Sequence, residues 1–194
     1  MKKIMFNDRY GLTDAVLSGR KTMTRRIIKG DFEEIKAYHA NGGWHFIADT
    51  KDGDSVEVKP SYEIGEKVAI AQAYQTLRWP ALPGIDWVAT TYEVTHSKGW
   101  SNKMFVKAEY MPYRIRITNI KLERLKDISE EDCIREGIVK TDCVAPYGFP
   151  VGNGKWKNYR TPQDAFAHLI DKVSRKGTWN LNPWVFVYEF LLIK

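Results

Sequence analysis

The residues with the most evident chemistry lie in Ser-Gly-Arg-Lys-Thr-Met-Thr-Arg-Arg-Ile-Ile, positions 18 to 28. Arg20, Lys21, Arg25, Arg26 and Lys29 are cationic, and Thr22 and Thr24 set two hydroxyls among them. Guanidinium forks and hydroxyls are the donors that phosphate oxygens and nucleobase edges accept. The cluster therefore reads as a ligand-binding turn, or, more plainly, as a solvated basic turn. Other chemistries have less support. His39, His45, His96 and His168 share no ligand spacing, and Cys133 and Cys143 form no Cys-x-x-Cys pair, so neither metal nor cofactor is expected. No serine occupies a Gly-x-Ser-x-Gly elbow, and Cys133 reads as a small core residue.

The surrounding pattern indicates what positions the cluster. Leu12, Ala15 and Val16 recur at helical spacing, and Gly19 can take the left-handed conformation that ends a helix. A helix over Asp8 to Ser18 running into the basic turn is predicted. Residues 31 to 43 read as a connection. Asp52-Gly53 between two extended runs predicts a hairpin near 44–59, with both turn positions at positive φ. Strands are predicted over Lys67 to Tyr74, Asp86 to Val94 and Tyr113 to Leu125, with a loop containing Arg78, Trp79, Pro80 and Pro83. In the last strand Ile115 and Ile117 are out of phase with Ile120 and Leu122, which predicts a β-bulge near Thr118-Asn119.

Ser129 with Asp132 predicts a capped two-turn helix stopped by Gly137. Residues 138 to 160 show little periodicity and read as a long loop. Thr161, Pro162 and Asp164 begin a helix whose apolar face is Phe166, Leu169, Ile170 and Val173. Trp184 to Leu192 reads as a closing strand with Trp184, Phe186, Tyr188 and Phe190 on one face.

A chain of 194 residues, 43% hydrophobic and 13% aromatic, fits one well-buried α+β domain over 1–194. No apolar run approaches the roughly 20 residues that cross a bilayer, and the start Met1-Lys2-Lys3-Ile4-Met5-Phe6-Asn7-Asp8 is charged again before a signal-peptide core could form. With two cysteines, a cytoplasmic location without a membrane partner is expected. The net charge of +6 favours an anionic partner. Composition is silent on oligomeric state.

Gly19-Arg20-Lys21-Thr22-Met23-Thr24-Arg25-Arg26 resembles the Gly-x-Lys-x-x-(Thr/Glu)-x-Arg signature of the ASCH domain family. Gly65-Glu66-Lys67-Val68, Asp127 to Asp132 with Glu136-Gly137, and Asn182 to Val185 with Tyr188-Glu189-Phe190 resemble its later motifs in order. The resemblance implies a PUA-like small mixed β-barrel with peripheral helices. It also implies an activity. Small bacterial relatives in that superfamily are amidohydrolases that deacetylate N4-acetylcytidine, with a lysine and a threonine matching Lys21 and Thr24. Their glutamate matches Arg116, however, and a further acid matches Gln72. A guanidinium, with a pKa above about 12, takes no proton near neutral pH. Glu93, Glu109 or Glu123 would have to substitute.

The expectation is therefore a binder of RNA or a modified nucleoside. Its basic cleft would comprise Arg20, Lys21, Thr24, Arg25, Arg26, Gln72 and Arg116, with Trp79, Trp100 and Tyr147 able to stack on bases or simply to cover the barrel mouth. An amidohydrolase built on Lys21 and Thr24, or a module for an acidic protein partner, are the alternatives.

Overall fold

The computed structural model describes residues 1–40, 43–77 and 94–193. The chain is α+β. Its principal sheet has five strands in the order β1-β6-β7-β11-β2: β1 (Lys3–Ile4), β6 (Lys67–Ile70), β7 (Arg114–Arg124), β11 (Trp184–Ile193) and β2 (Met23–Ile27). β1 pairs with β6 in parallel, and the other pairings are antiparallel. Among the described residues β1 and β2 do not pair, so this sheet is open where a barrel was expected to close.

β11 lies between two neighbours because both of its faces are apolar. Val185 and Val187 are fully buried on one face, and Phe186, Tyr188 and Phe190 are buried on the other. Central strands read this way, whereas edge strands alternate. Phe186 meets Phe46 edge-on, and the Tyr188 hydroxyl accepts from the Ser61 amide at 2.8 Å, so its buried oxygen is satisfied. Opposite Glu189 and Phe190 the register jumps from Asn119 to Ile117, leaving Thr118 unpaired. This is the bulge that the out-of-phase isoleucines require, and it keeps Ile115 and Ile117 in the core.

Among the described residues three helices support the sheet, and a further single turn, α4 (Thr178–Leu181), precedes β11. α1 (Leu12–Leu17) is shorter than expected. Asp8–Tyr10 forms a separate 3-10 turn, because Gly11 at φ +64° breaks the helix between them. α2 (Glu130–Arg135) is capped by the Ser129 hydroxyl and α3 (Pro162–Val173) by the Thr161 hydroxyl, each accepting an amide at 3.1 Å. α3 buries Phe166, Leu169 and Ile170 in the main core, with Val173 half-buried beside them.

Two segments read as irregular are strands. β3 (Phe32–Ala40) pairs with β4 (Gly43–Thr50), which pairs with β5 (Ser55–Val58) across the Asp52-Gly53 turn. In that turn only Gly53 has positive φ, contrary to expectation. β3 carried no hydrophobic alternation because Ile35 is its one buried side chain. The stretch 138–160 is also a sheet rather than a loop: β8 (Val139–Lys140), β9 (Tyr147–Gly152) and β10 (Lys155–Tyr159). Asn153 at φ +52° and Gly154 at φ +68° link the last two, as a two-residue hairpin turn demands. The expected loop with Arg78, Trp79, Pro80 and Pro83, and residues 86–93 of the expected strand, lie outside the described residues. No helix among the described residues is long and apolar enough to cross a membrane.

Candidate functional site

Backbone contacts from two helix ends hold the basic cluster. Gly19, at φ +76°, donates to the Val16 carbonyl and Lys21 to the Ala15 carbonyl, which folds the chain back at the end of α1. Thr22 donates to the Arg135 carbonyl at the end of α2, and Met23 then begins β2. Gly137, at φ +108°, turns the chain away after Glu136; a side chain there would press on Leu12. Glu136 is thereby placed over the start of β2.

Lys21 Nζ lies 2.5 Å from Glu136 Oε2 and 2.6 Å from the Glu136 carbonyl oxygen. The ammonium thus also satisfies a carbonyl that the end of α2 leaves open. Lys21 is 2% exposed and Glu136 4%. Burial lowers the Lys21 pKa from its ordinary value, against the opposing pull of the Glu136 carboxylate; Arg26 and Arg25 add to the lowering.

Arg25 is equally enclosed. Nε and Nη2 donate to Glu123 Oε1 at 2.9 and 2.6 Å, Nη2 also to Asp132 Oδ2 at 3.0 Å, and Nη1 to Glu136 Oε1 and Met23 Sδ at 3.2 Å. These five contacts match the five N–H groups of a guanidinium. They are possible because Arg25 and Glu123 flank β11 on the face carrying Val185 and Val187, short enough to reach across. Burial would lower the Arg25 pKa, but Glu136 and Glu123 outweigh it and raise it.

A cleft of about 590 Å³ opens onto this group. The consecutive residues Thr24, Arg25, Arg26 and Ile27 line it, so it follows the free edge of β2. Lys21 and Glu136 lie in the same lining, together with Phe6 and the apolar face of α3. Arg26 donates to the Met5 carbonyl at 2.8 Å and stacks over Phe6, while its buried Nε has no partner among the described residues. At the rim Lys103 donates to both carboxylate oxygens of Asp8 at 2.8 Å.

The expected basic cleft is therefore only partly assembled. Lys21, Thr24, Arg25 and Arg26 come together, but Lys21 and Arg25 are neutralised by carboxylates that local sequence does not place beside them. Arg20 is exposed and outside the lining. Arg116 is exposed on β7, opposite Lys67 and Leu191, and Gln72 is buried beside Met111 rather than in the cleft. The register that sends Ile115 and Ile117 inward turns Arg116 out. Arg116 thus does not line the cleft. The carboxylate beside Lys21 is Glu136, and Glu136-Gly137 was in the sequence beside the capped helix. Of the expected substitutes, Glu123 serves Arg25, Glu109 is exposed, and Glu93 lies outside the described residues. Trp100 and Tyr147 pack against hydrophobic clusters. Trp79 lies outside the described residues.

Both cysteines are free, and burial pushes the Cys133 thiol up to about 12. Among the described residues no group of three or more His, Cys, Asp or Glu side chains is placed to hold a metal ion. Comparison of the chain with family models, with curated proteins and with solved structures finds no match in any of the three.

Proposed function

We propose that this chain is an amidohydrolase acting on an acylated nucleoside, with Thr24 as nucleophile, Lys21 as its base and Glu136 as proton carrier. The observation that carries this reading is the buried 2.5 Å contact between Lys21 and Glu136 in the cleft that Thr24 also lines. A desolvated lysine with a lowered pKa reaches its neutral form more readily and can then take a hydroxyl proton. Thr24 Oγ1 attacks the acyl carbon as Lys21 accepts its proton. The C–N bond breaks, the proton passes through Glu136 to the leaving nitrogen, and the acyl group rests as an ester on Thr24. Water then cleaves that ester, giving the carboxylate and restoring the hydroxyl.

The ASCH resemblance supports the same reading, including its PUA-like barrel and the N4-acetylated cytidine substrate that it implies. Free thiols fit the cytoplasmic setting of such an enzyme. A phosphate-binding role for Lys21 and Arg25 has less support, since their charges are already met by Glu136, Glu123 and Asp132.

Acetate release from N4-acetylcytidine, followed by proton NMR, tests the proposal. Wild type should turn over, while Lys21→Ala, Thr24→Ala and Glu136→Gln should each reduce the rate at least about 100-fold, the scale of general acid–base contributions. Absence of release by a folded wild type, or full activity of Thr24→Ala, would overturn it.

A further inference from the structure

We infer that a second cleft, which shares Ile27 with the first, binds the phosphate of a phosphorylated ligand, so that the substrate is a nucleotide, free or within a polynucleotide, rather than a bare nucleoside. The cleft measures about 540 Å³ and lies between the end of β2, the start of β3 and the α4 turn. Ile27 lines both clefts, so the two adjoin at that side chain. The inference rests on the amidohydrolase reading for what occupies the first cleft.

The two differ in charge balance. In the first, Lys21, Arg25 and Lys103 each face a carboxylate, and Arg9 and Arg26 are the cations left without one among the described residues. In the second, the charged lining residues are Lys29, Arg124, Arg175 and Asp31. Asp31 is engaged at 2.6 Å by Lys51, which offsets its charge. Lys29 and Arg175 are exposed and have no carboxylate partner among the described residues. Arg124 lies over the Trp184 ring at 4.4 Å and donates to the backbone carbonyls of Glu33 and Asn182. Those neutral acceptors leave its charge uncompensated.

Beneath Arg124 the Trp184 indole Nε1 is buried without an acceptor among the described residues. Three cations with no matching anion, in one concave site, create a positive potential that draws in an anion. A phosphate ester offers several acceptor oxygens and can engage a guanidinium in bidentate fashion while an ammonium meets a third oxygen. Ile28 and Leu181 supply apolar wall for the attached sugar.

The test follows the indole resonance of Trp184, identified by its loss in Trp184→Phe, during titration with inorganic phosphate, cytidine and cytidine 5′-monophosphate. Phosphate and the nucleotide should shift it saturably, with the nucleotide binding roughly tenfold more tightly than cytidine, the scale of one or two added charge-assisted contacts. Lys29→Ala with Arg175→Ala alters exposed side chains, and should abolish the phosphate shift and the nucleotide's advantage. An oligoribonucleotide separates the two sources. Affinity that grows with length and falls steeply with salt assigns a polynucleotide; affinity equal to the monomer's assigns a free nucleotide. No shift with phosphate or nucleotide, or a shift that survives the double substitution, overturns the site. Neither measurement needs turnover. A phosphate response without acetate release would refute the hydrolase and keep this site, and the reverse result would do the opposite.

Discussion

Lys21 Nζ sits 2.5 Å from Glu136 Oε2, although 115 residues separate the two in the chain. Both side chains are almost wholly withdrawn from water. Two isolated charges in that position would be costly, several kcal/mol each. They are tolerated because each has further partners: Lys21 also meets the Glu136 carbonyl, and Glu136 also meets Arg25. The ion pair therefore joins the end of α2 to the start of β2, in the lining of the cleft.

Removing the carboxylate should expose its structural share. Glu136→Ala leaves a buried ammonium and part of a guanidinium unmatched, and should cost about 3–5 kcal/mol, as breaking a buried pair does. Urea denaturation measures it. A midpoint within experimental error of wild type would mean that water reaches the site and screens both cations.

The same residue controls the titration of Lys21. Burial lowers the lysine pKa and Glu136 raises it, so Glu136→Gln should move it further down. The 13Cε resonance of Lys21 reports this directly. In wild type, turnover should rise with pH until Lys21 is deprotonated; a Lys21 titration that moves upward in Glu136→Gln would contradict the assigned balance.

Neighbours in the basic cluster should behave unlike one another. Arg25→Ala strands Glu123, Asp132 and Glu136 around a cavity and should destabilise by about 3–5 kcal/mol. Arg20→Ala removes an exposed charge and should change stability by no more than about 0.5 kcal/mol. Thermal unfolding of the two single variants compares them. Equal shifts would show that Arg25 is not the buried centre of an ion cluster.

Acid tolerance should depend on Glu189. Partial burial pushes its carboxyl up, but hydrogen bonds from Lys121 and Arg135 prevail and hold it down at about 2. A depressed folded pKa stabilises above the ordinary value of 4.5 and loses that contribution as pH falls towards about 2. The stability gap between wild type and Glu189→Gln should therefore be full at pH 6 and shrink steadily below 4.5. Because the group is part-exposed, solvent screening will reduce the size of the gap. A gap that widens in acid would refute the pairing.

Local pattern alone was enough for several features. The hydroxyl caps of α2 and α3 lie within three residues of their amides, and the bulge at Thr118 follows from the phase of Ile115, Ile117, Ile120 and Leu122. The apolar face of α3 is legible because helical periodicity needs no knowledge of what it packs against. β3 was hidden by its exposed side chains. β9 and β10 were hidden by glycines and a proline, although Asn153-Gly154 was a sufficient turn signal. The basic residues between Arg20 and Lys29 were plain in the sequence, but their electrostatic fates were not. Whether a cation is free depends on which carboxylate folding brings within about 4 Å, since Coulomb attraction follows distance in space rather than along the chain. Only the tertiary structure set Glu136, Glu123 and Asp132 against Lys21 and Arg25, and left Lys29 and Arg175 without a counter-charge among the described residues.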